Sequence, residues 1–280
     1  MELETQQERA SAFLAMHSGP RILILPNAWD VASARVLEAA GFGALGTTSA
    51  GVAASLGYPD GERVPLDGML RVVRGISESV MVPVTADVEA GYGVNERAVA
   101  ETVKSAIGAG AVGINLEDGA NDPQSPLIDL AAHAAKVSAA RQAAAATGVP
   151  VVINARTDVY LLEVGAPRSR LREAVRRANA YLEAGADCAF VPGVGDAAMI
   201  ATLVREIAGP VNVLAGPRVP AIPQLAELGV ARVSVGSGLI RAALALVRRA
   251  AKELLSSGTY ASFTEHTIAY AELNQLLERG

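Results

Sequence analysis

Cysteine and histidine are scarce in this chain of 280 residues, which has one of the first and three of the second. A single cysteine, Cys188, excludes an internal disulfide framework. The histidines at positions 17, 133 and 266 fall in segments with a helical or terminal pattern. A zinc site built from histidine ligands is therefore not expected.

Lysine is also rare, and only three of the 24 basic residues are lysines. An aldolase of the Schiff-base type needs a lysine on a strand. Here all the lysines lie in stretches with helical periodicity, at positions 104, 136 and 252. The sequence also has no GxSxG nucleophile motif and no Walker loop, so neither a serine hydrolase nor a P-loop enzyme is indicated.

Long apolar segments and an excess of positive charge are missing as well. No apolar run reaches 18 residues without a charge or a turn signal, so no transmembrane helix is predicted. The amino terminus, MELETQQERA, lacks the basic and apolar regions of a signal peptide. The net charge of −5 argues against non-specific binding to nucleic acid or to an anionic membrane. We expect a cytoplasmic protein with neither of these partners.

The residues that are abundant predict a single α/β domain. Half of the chain is apolar, and 27 glycines and 14 prolines divide it into short segments. Continuous apolar strands that alternate with helical stretches are typical of a parallel sheet covered by helices. Eight such units close most naturally into a (β/α)8 barrel, and an open doubly wound sheet is the alternative. The predicted strands lie near 22–26, 44–48, 82–87, 111–116, 151–155, 188–191, 211–215 and 232–236.

The carboxyl-terminal segment is longer than a minimal barrel requires. We assign residues 1–280 to one domain, with the barrel over about 20–250 and a helical extension over about 251–280. The pattern predicts a helix over 239–255, a break at 256–258 and a second helix over about 261–278. We expect the second helix to cover a neighbouring subunit.

Charged side chains follow three consecutive predicted strands, where a barrel of this kind places its active site. They are Asp87 and Glu89, then Glu117 and Asp118, then Arg156 and Asp158. Carboxylates gathered at one mouth repel one another unless a cation neutralises them. Oxygen ligands without histidine or cysteine indicate Mg2+, with Mn2+ as the alternative. The other interpretation is that these carboxylates cap helices or pair with surface arginines, but three at consecutive strand ends favour a metal site.

Several longer motifs follow the predicted strands and turns in a specific order. In these motifs and their order, the chain resembles the isocitrate lyase/phosphoenolpyruvate mutase superfamily over almost its whole length. The resemblance implies a (β/α)8 barrel whose last helices are exchanged between subunits, in a homo-oligomer that is a dimer of dimers. The motifs are PNAWD (26–30), GTTSAGVAASLGYPD (46–60), DVEAGYG (87–93), NLEDG (115–119), NARTD (154–158), EAGAD (183–187) and PVN (210–212).

The resemblance also implies a metal site and its ligands. Asp87 would bind Mg2+ directly, and Glu89 and Glu117 would hold the ion directly or through waters. Asp87 would thereby also contact the substrate, and Glu117 would take part in catalysis.

Further residues are implied to contact the substrate or to act on it. The turn of Thr47, Thr48 and Ser49 would bind a substrate carboxylate. Arg156 would neutralise a substrate or enolate oxygen, and Asp60 would act in proton transfer. Asn212 would supply a pocket amide.

The chain departs from its relatives at two positions that decide the reaction. The isocitrate and methylisocitrate lyases carry a Lys-Lys/Arg-Cys-Gly-His loop, whereas this chain reads EDGANDPQSPLID at 117–129, without cysteine. Cys188 lies in the sixth predicted strand and is interpreted as a buried apolar residue. The phosphonopyruvate mutases carry a histidine near the position of Pro192, which weakens a role in phosphoryl transfer.

The sequence therefore predicts a magnesium-dependent lyase or decarboxylase that cleaves a C–C bond of a small 2-oxo or 2-hydroxy di- or tricarboxylate. The reaction would pass through an enolate and release a 2-oxo acid such as pyruvate. The general base is left open among Asp60, Tyr58 and Tyr92. Two alternatives remain: P–C chemistry of the phosphonopyruvate mutase or hydrolase type, and a non-catalytic barrel that binds a 2-oxo acid.

Overall fold

Nine parallel strand segments form the central sheet of the computed structural model, which describes residues 2–278. Their order is β1-β9-β8-β7-β6-β5-β4-β3-β2. Segments β2 to β9 therefore pair with the segments next to them in sequence, and β1 pairs with β9. The segments are β1 (Leu23–Leu25), β2 (Asn27–Ala28), β3 (Leu45–Thr47), β4 (Val84–Asp87), β5 (Gly113–Glu117), β6 (Val152–Arg156), β7 (Cys188–Phe190), β8 (Val211–Leu214) and β9 (Arg232–Ser234).

Pro26 explains why the first predicted strand appears as two segments. Proline has no N–H to donate to a neighbouring strand, so the pairing is interrupted there. Before Pro26, β1 pairs with β9; after it, β2 pairs with β3. Because β1 and β2 are consecutive in the chain, they join the two ends of the sheet. The ring thus has eight wall positions, and the predicted barrel is confirmed.

Eleven α-helices accompany the strands within the described residues, and none of them is long and apolar enough to span a membrane. Local sequence sets many of their ends. Asn95, Asp129 and Asp196 accept hydrogen bonds from first-turn N–H groups, and Gly148 ends its helix in the left-handed conformation. The helices are α1 (Leu3–Met16), α2 (Val31–Ala39), α3 (Ser49–Leu56), α4 (Leu66–Ser79), α5 (Glu96–Gly108), α6 (Leu130–Thr147), α7 (Pro167–Glu183), α8 (Ala197–Glu206), α9 (Ile222–Glu227), α10 (Gly238–Ser257) and α11 (Tyr270–Leu277).

Helix α1 closes the amino-terminal end of the barrel. Its fully buried Phe13 packs so closely on β5 that a Cβ at Gly113 would lie 2.8 Å from the Phe13 ring. Gln6 of the same helix donates to the backbone oxygens of Ile107 and Ala111, which fixes α1 against the barrel. The opposite end, where the strands finish, is left open for a site.

The carboxyl-terminal segment differs from the sequence prediction in one respect. The break at 256–258 is confirmed, since α10 ends at Ser257 and Gly258 is left-handed. The second helix begins only at Tyr270, because a 3-10 turn (Ala261–Phe263) and an irregular stretch precede it. Helix α11 lies against α2 of its own chain, where Arg35 donates to the backbone oxygens of Leu276 and Glu278.

A buried histidine in α6 leads to a prediction about acid stability. His133 is fully buried against the ring of Tyr181, 4.6 Å away between centroids, and burial lowers its pKa to about 4. In the unfolded chain the His133 imidazole is protonated as the pH falls below about 6.5. In the folded chain it is protonated only as the pH falls below about 4. The stability from this group is therefore complete above pH 6.5 and is lost as the pH falls toward 4.

We expect His133→Leu to remove the share of the pH dependence that His133 contributes, about 3 kcal/mol, while His17, whose pKa burial also lowers to about 4, keeps its own share. The measurement is the free energy of urea unfolding for wild type and variant at pH 8, 6 and 4.5. The exposed His266 supplies the control, because His266→Gln should keep the wild-type slope. Equal slopes in wild type and His133→Leu would show that His133 is not the group involved.

Candidate active site

A cavity of about 220 Å3 opens at the carboxyl-terminal ends of the strands. A second cavity of about 360 Å3 adjoins it and shares Asp60, Arg156 and Leu161. These cavities therefore lie at the end of the barrel where the sequence analysis predicts the site. Polar lining residues of the first cavity include Asn27, Thr47, Thr48, Ser49, Asp60, Asp87, Asn115, Arg156, Arg232 and Ser234.

Asp87, at the end of β4, is held in position by hydrogen bonds from three directions. Its Oδ2 accepts from the Ser49 N–H at 2.8 Å, and its Oδ1 accepts from Asn115 Nδ2 at 2.9 Å. Its own N–H donates to Thr47 Oγ1 at 2.8 Å. The carboxylate therefore has a fixed orientation in the wall of the cavity.

The turn of Thr47, Thr48 and Ser49 joins β3 to α3 and lines the cavity as predicted. Thr48 is the N-cap of α3, and its hydroxyl accepts from the Gly51 N–H at 3.4 Å. This brings the positive end of the helix dipole to the cavity, where it favours anions. In the structure the Ser49 amide and the Thr47 hydroxyl are both engaged by Asp87, so their availability to a substrate stays a prediction.

Glu89 is close to Asp87 along the chain but does not line either cavity. It is buried, in the left-handed region (φ 51°), and it accepts from the Glu62 N–H and from the Tyr92 hydroxyl at 3.1 Å. Burial raises its pKa to about 7, and the charges of Asp87 and Asp60 add to the shift. Non-glycine residues in this region are uncommon and gather at functional sites.

The loop after β4 requires glycine and is supported by a buried lysine. Gly91 is left-handed (φ 99°), and a Cβ there would lie 2.7 Å from Val99 Cγ2. Lys136 donates to the backbone oxygens of Ala90 at 3.2 Å and Gly93 at 2.8 Å. The lysine therefore positions the loop that carries Glu89, rather than acting as a nucleophile.

Arg156, at the end of β6, is joined to two carboxylates. Its Nε and Nη2 donate to Asp158 at 2.6 and 3.0 Å, and its Nη1 lies 2.6 Å from Glu117 Oε2. That last contact is an ion pair without hydrogen-bond geometry, so Glu117 Oε2 is buried without a hydrogen bond. Burial raises the pKa of Glu117 well above its ordinary value, although the charge of Arg156 opposes the shift. Arg156 and Glu117 are thus brought together as predicted.

Asp118, which follows Glu117, proves to be structural. It is fully buried and does not line the cavities. It accepts hydrogen bonds from four donors on two segments of the chain, the turn after β6 and helix α7. These are Thr157 Oγ1 (2.8 Å), the Asp158 N–H (2.8 Å), Arg177 Nη1 (3.0 Å) and the Tyr181 hydroxyl (2.7 Å). Asp118 thereby fixes the segment that carries Arg156 and Asp158.

A row of amide side chains crosses the barrel at the base of the cavity, and of its three members only Asn212 was predicted from the sequence. Asn115 Oδ1 accepts from Asn154 Nδ2 at 2.8 Å, and Asn154 Oδ1 accepts from Asn212 Nδ2 at 3.5 Å. Asn212 also donates to Ser234 Oγ at 3.0 Å, and Ser234 Oγ accepts from Arg232 Nε at 3.1 Å. The signal was present, because each residue lies on a strand at a position facing the barrel interior.

Asn212 therefore has a different place from the one predicted. It is fully buried and does not line the cavity, since its amide is bound within the row of side chains. Substrate contact by Asn212 stays a prediction; the structure shows a support for the cavity floor.

Of the three candidate bases, Asp60 has the position that the chemistry needs. It lines both cavities, and its pKa is raised by burial and by the charge of Asp87. The Tyr92 hydroxyl donates to Glu89, and burial raises its pKa. Tyr58 is substantially exposed and lines neither cavity.

The structure also places Cys188, the single cysteine, and Pro192, one of the two positions at which the chain departs from its relatives. Cys188 is fully buried in β7, and burial raises its pKa to about 12, so the prediction of a small apolar residue is confirmed. Pro192 lines the cavity, near the position where the resemblance implies a histidine in the phosphonopyruvate mutases.

The predicted metal ligands do not form a ready-made cluster. Within residues 2–278, no three Asp, Glu, His or Cys side chains are arranged so that they could hold an ion. The physical reason is that the carboxylates are turned toward donors of the protein. Asp87, Glu89 and Glu117 are bound respectively by Ser49 and Asn115, by Glu62 and Tyr92, and by Arg156.

The barrel and its acidic mouth define the class to which the chain belongs, the isocitrate lyase/phosphoenolpyruvate mutase superfamily. The family model of phosphoenolpyruvate phosphomutase matches residues 13–255, and the chain belongs to this family. Membership supports an activity of lyase or mutase type.

Individual relatives show the same kinship. An uncharacterized protein of Mycobacterium tuberculosis is 38% identical over 266 residues, which are 95% of this chain and 96% of the relative. An oxaloacetate decarboxylase of Rhodopseudomonas palustris (strain BisA53) is 32% identical over 287 residues, covering 98% and 93% of the two chains. A crystal structure from Burkholderia cenocepacia J2315 is 39% identical, with a TM-score of 0.91 and coverage of 97% and 96%.

Proposed function

We propose that this protein is a magnesium-dependent lyase or decarboxylase that cleaves a C–C bond of a small 2-oxo or 2-hydroxy di- or tricarboxylate and releases a 2-oxo acid such as pyruvate. One observation carries the proposal. Asp60, Asp87 and Glu117 line the two adjoining cavities at the barrel mouth, and Glu89 is buried beside them. The pKa values of Asp60, Glu89 and Glu117 are raised first by burial and further by the charges of neighbouring carboxylates. Such an excess of negative charge, with oxygen donors alone, calls for a hard divalent cation.

The residues fit Mg2+, although they do not enclose it. Mg2+ usually keeps several waters and is held by one or two carboxylates together with the substrate. Asp87 would be the direct ligand because it lines the cavity, and Glu89 and Glu117 would act through waters. Glu117 lines the adjoining cavity, so its carboxylate would hold such a water while keeping its ion pair with Arg156. Bound Mg2+ would supply a Lewis acid for the oxo and carboxylate oxygens of the substrate.

The side chains around this position account for the remaining chemistry. The amino end of α3 favours the substrate carboxylate. Arg156 stabilises negative charge on the enolate oxygen, in a buried setting where such an interaction is strong. Asp60, with its raised pKa, holds or accepts a proton at the cavity.

Two observations favour C–C over P–C cleavage. Pro192, which has no side-chain group that could accept a phosphoryl, stands in the cavity wall. The match to an oxaloacetate decarboxylase covers 98% of this chain, against 84% for a phosphonopyruvate hydrolase. The absence of a loop cysteine disfavours the isocitrate and methylisocitrate reactions.

The test is turnover of a substrate panel with Mg2+: oxaloacetate, alkylated malates, 2-methylisocitrate and phosphonopyruvate. We expect release of a 2-oxo acid from one carboxylate substrate, detected by a coupled assay, and its loss on adding EDTA. A new phosphorus NMR signal from phosphonopyruvate would favour the P–C alternative. Binding without turnover of any substrate would favour the non-catalytic barrel.

We also propose that the protein is a homo-oligomer in which helix α10 covers a second copy, whereas α11 lies against α2 of its own chain. Helix α10 has one buried residue, Ile240, and leaves Leu244, Val247 and Leu255 exposed at 52%, 62% and 90%. Exposed apolar residues grouped on one helix are typical of an interface. Light scattering after size exclusion should give the mass of four chains, and Leu244→Glu combined with Val247→Glu should lower it. A wild-type mass of one chain would contradict this assignment.

A further inference from the structure

Arg232 is a buried cation that the proposed chemistry does not use. It lies at the start of β9, is 2% exposed and lines the cavity. Among the described residues, no carboxylate lies within 4.0 Å of its nitrogens, whereas Arg156 has carboxylates on all three of its own. A buried charge without a partner is costly, so a guanidinium in this position calls for an anion.

The hydrogen bonds of Arg232 show which part of the side chain is free. Nε donates to Ser234 Oγ at 3.1 Å, which fixes the plane of the guanidinium. Nη1 is buried and has no partner among the described residues, and Nη2 also makes no hydrogen bond to them. The two terminal nitrogens together form the fork that binds both oxygens of a carboxylate.

The charge of this fork is maintained at any physiological pH. Burial lowers the pKa of Arg232, but only to about 10. Asp87 is the carboxylate whose charge acts on Arg232, and the row of Asn115, Asn154 and Asn212 lies between them. The floor of one small cavity therefore has a cation at one side and the proposed metal position at the other.

We propose that Arg232 binds the carboxylate of the substrate that is distal to the metal, so that the substrate is a dicarboxylate of about four carbons in its main chain. This inference rests on the proposed function and narrows its substrate class. A 2-oxo or 2-hydroxy group and its neighbouring carboxylate would occupy the Asp87 side, and the second carboxylate would reach Arg232. A cavity of about 220 Å3 suits an acid of this size.

The experiment compares two ligands that differ only in the distal carboxylate, malate and lactate, by calorimetry in saturating Mg2+. Wild type should bind malate at least about tenfold more tightly than lactate, because a charged hydrogen-bonded pair is lost in lactate. Arg232→Gln should weaken malate binding by about 10- to 100-fold and leave lactate within about threefold. The exposed Arg205 supplies the matched control, and Arg205→Gln should bind both ligands as wild type does.

Two results of this comparison would overturn the inference. Equal wild-type affinity for malate and lactate, or equal weakening of both in Arg232→Gln, would show that Arg232 does not bind a distal carboxylate. If Arg232→Gln fails to fold, Arg232→Lys is measured, and it should weaken malate binding at least about fivefold, because lysine loses the two-point contact. Oxalate, which has no distal group, separates the two proposals. Mg2+-dependent oxalate binding with no preference for malate would leave the proposed function intact and this inference wrong.

Discussion

Asp87→Asn should reduce kcat/KM by about a thousandfold or more, which corresponds to about 4 kcal/mol of lost transition-state stabilisation. The change keeps the shape of the side chain and removes the charge that would hold the cation. It also replaces an acceptor of two hydrogen bonds, from Ser49 and Asn115, by an amide that accepts with one oxygen. The measurement is turnover of the panel substrate that wild type cleaves, with Mg2+ affinity measured in parallel by calorimetry.

The control for this variant is Asp196→Asn, on the same end of the barrel. Asp196 caps α8 and lines neither cavity, and asparagine caps as well as aspartate does. Its activity should equal that of wild type. Full activity in a folded Asp87→Asn variant would disprove the assignment of the metal to Asp87.

Asp118→Asn should lower the free energy of unfolding by about 3–5 kcal/mol, because Arg177 then loses its fully buried carboxylate partner and keeps only the half-buried Glu173. The amide would turn an N–H group toward donors such as Thr157, Arg177 and Tyr181. For a chain of this size the melting temperature should fall by about 10 °C. Differential scanning calorimetry measures this fall, and urea titration measures the free energy.

Asp67→Asn is the matched control for Asp118→Asn. Asp67 accepts from Arg71 at 2.8 Å on an exposed face of α4, where ion pairs contribute little. Its melting temperature should stay within about 1–2 °C of wild type. If both variants melt alike, the buried network around Asp118 is not what stabilises the segment carrying Arg156.

The fold was predictable because its signals are local and repeated. Strand runs, glycine turns and helical stretches recur eight times. In each unit the local sequence pattern is enough to predict the strand and the helix. The division of the first strand at Pro26 and the late start of α11 at Tyr270 were missed, since each depends on how the segment pairs with a neighbour. The barrel itself is insensitive to such details.

Residues of the candidate site were predictable from the sequence only where charged or hydroxyl side chains directly follow a predicted strand. Asp87, Glu117, Arg156 and the turn at Thr47 all lie at the predicted end of the barrel. The role of Asp118 could not be read from spacing, because partners such as Tyr181 are distant in sequence. The role of Arg232 could not be read either, because it depends on which carboxylates lie near its nitrogens in the folded chain. An aspartate at a strand end appears the same in sequence whether it binds a metal or holds an arginine.

The most direct test of the central claim is whether Mg2+ and oxalate, a planar mimic of a 2-oxo acid enolate, bind to the protein together. Calorimetry would measure oxalate affinity with Mg2+, with EDTA, and in Asp87→Asn. The proposed function predicts binding at least about tenfold tighter with Mg2+, and loss of that gain in the variant. Oxalate binding that is independent of Mg2+ and of Asp87 would contradict it.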